Sequence, residues 1–138
     1  MSDYYVLDAC ALIAFLNDEA GADVVEELLR KSNHQEPNLF LHRLNLLEVY
    51  YGIYREVGPE ISEQTLEKIR ALPVTEVTEI TQEVFLEAGR LKATYRLSLA
   101  DSIAAAEAKV RGASLVTADH HEFDLIATRE DIAFRWIR

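Results

Sequence analysis

A three-layer α/β architecture, a central parallel sheet of four to five strands flanked by helices, is what this sequence predicts. Three observations point there. Short apolar runs rich in β-branched and aromatic residues alternate with helical apolar stripes along the chain, the pattern of strand–helix–strand units. Two of the three longest stripes stop at glycine or proline, as helix ends do. The length of 138 residues, 49% apolar and 28% charged, suits one globular domain with a real core, spanning residues 1–138.

The elements follow in order. Tyr4–Leu7 is a short apolar run and reads as a buried strand. A helical segment follows and breaks near Asn17–Gly21. Val24, Val25, Leu28 and Leu29 stripe a second helix that ends within Lys31–Asn38. Leu39–His42 is a second strand. Three helices then share apolar offsets of 0, 4, 7 and 11: Leu46/Tyr50/Ile53/Val57, Val84/Ala88/Leu91/Tyr95 and Leu99/Ile103/Ala106/Val110. The first is expected to stop at Gly58-Pro59 and the last at Gly112. Ser62–Leu72 reads as a further helix, Val74–Val77 and Ser114–Thr117 as strands, and Ala133–Ile137 as an edge strand.

Composition narrows the classes. A net charge of −10 argues against general electrostatic adhesion to nucleic acid or membrane. The acidity is local, with eight glutamates between Glu56 and Glu87 against only Lys68 and Arg70. That stretch reads as a solvated face. No apolar run reaches the roughly 18 residues of a membrane span, and the opening MSDYYVLDAC does not read as a signal peptide. The single cysteine, Cys10, fits a reducing compartment. A cytoplasmic location is expected.

Four acids carry the chemistry. Parallel sheets bind ligands at the carboxyl edge of their strands. Asp8 follows the first strand, and Asp119 stands two residues after Thr117 at the end of the fourth. Glu48 lies early in the helix after the second strand. Asp101 opens a helix that feeds the fourth strand after only Gly112 and Ala113, so that helix must begin near the carboxyl edge. Carboxylates gathered there repel, and they raise one another's pKa or recruit a cation. Oxygen donors without His or Cys suit Mg²⁺ or Mn²⁺, one or two ions. Such a site can activate a water for in-line attack on a phosphodiester. Asn45-x-x-Glu48 and Ser98-x-x-Asp101 also match the capping box, and either acid alone is accounted for by capping. Four at one edge favour a shared site.

The segments YVLDACALIAFL, LNLLEVYYG and LSLADSIAAAEAKVRGASLVTADHHEF make the chain resemble the PIN-domain family, and within it the VapC-type toxins of type II toxin–antitoxin pairs. The resemblance covers nearly the whole chain and keeps the order of the acidic motifs. It implies a Mg²⁺- or Mn²⁺-dependent endoribonuclease with a three-layer fold, leaving 5′-phosphate and 3′-hydroxyl ends. It implies that Asp8, Glu48, Asp101 and Asp119 form the catalytic and metal-binding quartet, with Thr117 in support. It also implies a homodimer and a VapB-type antitoxin that inserts a helix and a tail. Cys10 stands where the family usually carries Ser, Thr or Asn, which removes a hydroxyl or amide beside Asp8.

Arg90, Lys92 and Arg96 are candidate RNA contacts, Lys92 and Arg96 sharing a helix face at i, i+4. Tyr51 and Tyr54 are candidates for a dimer or antitoxin interface. His120 and His121 read as solvated residues at a loop tip, and Glu122 and Asp124 stand near the last acid without an assigned role. A phosphoaccepting receiver-like module would also have an acidic pocket on a parallel sheet. It needs a late lysine, and none follows Asp119. A catalytically inactive scaffold is the other alternative, and an intact quartet argues against it.

Overall fold

A computed structural model describes residues 3–33 and 35–138. The first strand, β1 (Tyr5–Leu7), leads into α1 (Ala9–Leu16) and α2 (Ala22–Lys31). Next come β2 (Leu39–His42) and the long α3 (Arg43–Arg70). β3 (Thr75–Val77), α4 (Gln82–Thr94) and α5 (Leu99–Arg111) follow. The chain finishes with β4 (Ser114–Thr117), α6 (His120–Arg129) and β5 (Ala133–Trp136).

The five strands form one sheet in the order β3-β2-β1-β4-β5, every neighbouring pair parallel. The chain builds outward from β1 to β3 on one side and then returns to place β4 and β5 on the other. The order therefore reverses between β1 and β4, where a parallel sheet leaves a crevice at its carboxyl edge. Register there sets Leu7 beside both Leu41 and Val116, and Thr117 beside Trp136.

Alternation along β1 splits the core. Val6 faces a cluster with Leu91, Ile103, Leu115, Phe123 and Ile126. Leu7 faces the opposite cluster with Leu12, Val25, Leu41, Leu46 and Val116. All of these are buried, so the helices cover both faces of the sheet, as successive strand residues on opposite sides require.

Two expectations are corrected, and both expected helix stops hold. At Gly58-Pro59 the span α3 is two helices joined across a kink, Gly58 leaving helical geometry at φ 83° and ψ −179°. Proline disfavours the helical region for the residue before it, and glycine supplies a conformation that absorbs the kink. The region after Asp119 is a helix, α6, so His120 and His121 open its first turn instead of sitting at a loop tip. Finally, α4 ends at Thr94, and Tyr95 is extended at φ −122° and ψ 162°. Lys92 and Arg96 therefore do not share a helical face. Gly112 does stop α5, in the left-handed region at φ 63°.

Candidate active site

Each predicted acid starts from local backbone chemistry. Asp8 leaves β1 and caps α1, its Oδ1 accepting the Ala11 N–H at 2.8 Å. Asp119 caps α6, accepting the Glu122 N–H at 3.1 Å. Thr117 ends β4 fully buried, and its hydroxyl accepts the Asp119 N–H at 3.0 Å, which fixes the turn between strand and helix. Ser98 caps α5 by accepting the Asp101 N–H at 3.1 Å. Three helices thus begin at one edge, with their partial positive ends turned towards the acids.

Glu48 arrives differently. The cap of α3 is His42, whose ring accepts the Leu44 N–H at 3.1 Å. Asn45 is therefore inside the helix and does not cap it. It is fully buried, and its amide donates to the Ala100 carbonyl at 3.0 Å. That bond ties α3 to the start of α5. Glu48, in the second turn, projects beside Asp101 from there.

The acids converge. Asp101, Asp119 and Glu122 each present an oxygen within 4.8 Å of the others. Glu48 feels the charge of Asp119 and Glu122, and Asp8 feels Asp101 and Asp119. Glu122 is thus a fifth carboxylate that had no assigned role. Its signal was available: Asp119-x-x-Glu122 has capping-box spacing at the end of a strand. Asp124, in contrast, is exposed and pairs with His120 at 2.7 Å.

Electrostatics follow from this crowding. Burial pushes the Asp8 carboxyl up to about 7, aided by Asp101 and Asp119, while the Thr117 hydroxyl and the Ala11 N–H act downward. Asp8 Oδ2 is buried without a hydrogen-bond partner. Burial likewise raises Asp101 to about 6, with Glu48, Glu122 and Asp119 adding and Ser98 opposing. Glu48 is raised by burial and by Asp119 and Glu122. Cys10, half-buried beside Asp8, has its thiol pushed up to about 11 by burial and by that carboxylate, so it rests as an unreactive thiol.

The basic candidates have contacts of their own. Arg90 is paired with Glu87 and, at 2.5 Å, with Glu130. Glu130 also accepts the Tyr95 hydroxyl at 2.5 Å. Lys92 donates to the Leu97 carbonyl at 2.9 Å. Arg96 is exposed.

A family model described as the PIN domain matches residues 5–128. No curated protein sequence matches the chain. Among solved structures, the DNA-bound VapBC of Salmonella typhimurium is similar at 19% identity and a TM-score of 0.73, covering 100% of both chains. VapBC-1 of nontypeable Haemophilus influenzae is similar at 20% identity and 0.72, covering 97% of this chain and 98% of that one. VapC20 of Mycobacterium tuberculosis, described as a sarcin–ricin-loop-cleaving toxin, is similar at 15% identity and 0.65, covering 91% and 95%. Such identities speak for a shared fold. The family match spans most of the chain, from β1 with its trailing Asp8 to α6 with Glu122, and the chain belongs to the PIN-domain family.

Proposed function

We propose that this protein is a Mg²⁺- or Mn²⁺-dependent endoribonuclease and the toxin of a VapBC-type toxin–antitoxin pair. One observation carries the reading: acids from four separate elements crowd one sheet edge, three of them within 4.8 Å, beside a buried carboxylate oxygen with no partner. Like charges held this close are stable when a cation balances them. The donors are all carboxylate oxygens, the set that hard divalent ions prefer.

Asp101, Asp119 and Glu122 would hold the ion. Asp8 would offer its unpartnered Oδ2, and Glu48 would complete the shell directly or through water. A bound divalent ion supplies the acidity that activates water and neutralises charge building on the phosphate. The chain does the rest. Thr117 fixes the turn that carries Asp119, and Ser98 fixes Asp101. The starts of α1, α5 and α6 favour an anion arriving at the same edge. Burial of Asp8 keeps bulk water from one side of the site.

The expected partners are RNA, a VapB-type antitoxin and a second copy of the chain. VapC20 is described as cleaving the sarcin–ricin loop and other neighbours as VapBC complexes, which supports the RNA and the antitoxin. Leu47, Tyr51 and Leu99 are exposed apolar residues lining one cleft with Glu48, and Tyr54 is exposed on the same helix. They suit a protein partner beside the site. No described helix is long and apolar enough to cross a membrane.

The test is cleavage of a fluorogenic single-stranded RNA. Activity with Mg²⁺ or Mn²⁺, abolished by EDTA, is expected. RNA left intact under every metal condition would overturn the reading.

A further inference from the structure

The edge that carries the acids also carries a column of aromatic rings. His120 opens α6 and lies flat on Trp136 of β5, centroids 3.9 Å apart and planes 9° from parallel. Trp136 stacks on Phe134 at 5.1 Å and 10°. Phe134 leans on Phe123 at 5.7 Å, which is fully buried. Phe134 and Trp136 are two residues apart on one strand face, so the column is anchored in the core.

Its outer ring is clamped. His120 Nδ1 faces Asp124 Oδ1 at 2.7 Å, and Nε2 faces the main-chain oxygen of Arg138 at 2.8 Å. One face rests on Trp136 and both nitrogens are engaged, yet 48% of the side chain is exposed. The exposed part is therefore mostly the outer face. Packing accounts for the inner face only.

Position gives that open face a use. Trp136 is in register with Thr117, and His120 is the immediate neighbour of Asp119 in the carboxylate trio. We propose that the outer face of His120 is a stacking platform for an unpaired nucleobase flanking the scissile phosphate. This rests on the nuclease reading above and adds to it how the strand is held. Single-stranded RNA is recognised by aromatic rings under splayed bases, and every base has a π-face. The platform therefore supplies affinity and register for an unpaired strand, with little selection of base identity.

The test uses the whole chain, Mg²⁺, and a short single-stranded oligoribonucleotide with mapped cleavage. Companion oligonucleotides carry one abasic site each around the cleaved bond. Trp136 is the sole tryptophan, so its emission reports the column directly. Binding of the intact oligonucleotide should change that emission. Removing one particular base should abolish the change and raise KM about tenfold. His120→Ala should raise KM about tenfold for the intact strand and no longer distinguish the abasic one, whereas His120→Phe should recover the distinction. A wild-type chain that cleaves RNA with no dependence on any flanking base would overturn the platform and leave the nuclease reading standing. His120→Ala distinguishing the abasic strand as well as wild type does, or His120→Phe behaving like His120→Ala, would do the same. A chain that cleaves none of these RNAs would overturn both.

Discussion

Asp119 and Glu122 are joined through the first turn of α6, the Glu122 N–H donating to Asp119 Oδ1 at 3.1 Å. One carboxylate caps the helix and thereby presents the other beside Asp101. Ser98 does the same for Asp101 at the start of α5. Helix capping and assembly of the acidic cluster are thus one geometry, and the two readings of a capping box do not compete here.

Asp101→Asn keeps the side chain's shape and removes its charge. Cleavage should fall to background. The fold should gain about 1 kcal/mol after solvent screening, because burial and three neighbouring acids already raise this carboxyl to about 6. A fluorogenic RNA assay and thermal melts without divalent ions check both. Retained activity would refute the assignment.

The acidic site should make stability fall as pH rises. Asp8 goes up to about 7 and Asp101 to about 6, from 3.8. The folded state therefore binds these protons more tightly than the unfolded chain. Their stabilising share is present near pH 4 and is lost as pH climbs to about 7, at up to about 1.4 kcal/mol per pH unit for each group. Without divalent ions the melting temperature should drop between pH 5 and 7.5. Asp8→Asn should flatten that slope, and Mg²⁺ should restore the loss by binding the folded state.

Arg90→Ala should damage the fold and spare the chemistry. Arg90 joins Glu87 on its own helix to Glu130 after α6, and Lys109 supports Glu87 at 3.2 Å. These bonds hold the Glu130 carboxyl near 2, Arg90 first among the causes. That depressed value contributes stability above about pH 4.5 and loses it as pH falls towards 2. Arg90 is 43% exposed in its side chain, so the loss should be about 1–2 kcal/mol by chemical denaturation. KM for RNA should stay within about twofold.

Sequence alone located β2 and β4 to the residue, because Leu39–His42 lies between polar Asn38 and Arg43, and Ser114–Thr117 falls in the short stretch between Gly112 and Asp119. It also placed four acids at one edge, since strand ends and helix starts follow from alternation. Glu122 escaped because its position depends on α6, which buries only Phe123 and Ile126 and so shows little stripe. The end of α4 escaped because neither Gly nor Pro marks Thr94. The pairing of His120 with Trp136 depends on the register of β4 and β5, which no local pattern encodes.

Gly58→Ala tests the kink in α3. Its φ of 83° with ψ of −179° is a region essentially limited to glycine. Nothing lies within 4 Å of an added Cβ, so the penalty is conformational and not steric crowding. A loss of about 1–3 kcal/mol is expected by denaturant titration. RNA cleavage below the melting point should be unchanged, because the kink is ten residues beyond Glu48.

Glu122→Gln and Glu48→Gln together decide which acids form the metal shell. Glu122 belongs to the trio within 4.8 Å, and Glu48 does not. Glutamine keeps an oxygen in place and removes the charge that a hard cation selects. Replacing a direct ligand should weaken binding at least as much as disturbing an outer partner, which typically costs about 10–100-fold. Glu122→Gln should therefore reduce Mn²⁺ affinity by more than about tenfold in a calorimetric titration, and Glu48→Gln by less. Both variants should melt higher than wild type without metal, since each removes one charge from a repelling cluster. If Glu48→Gln weakens Mn²⁺ binding as much as Glu122→Gln, the ion sits between Glu48 and Asp101 instead of within the α5–α6 trio.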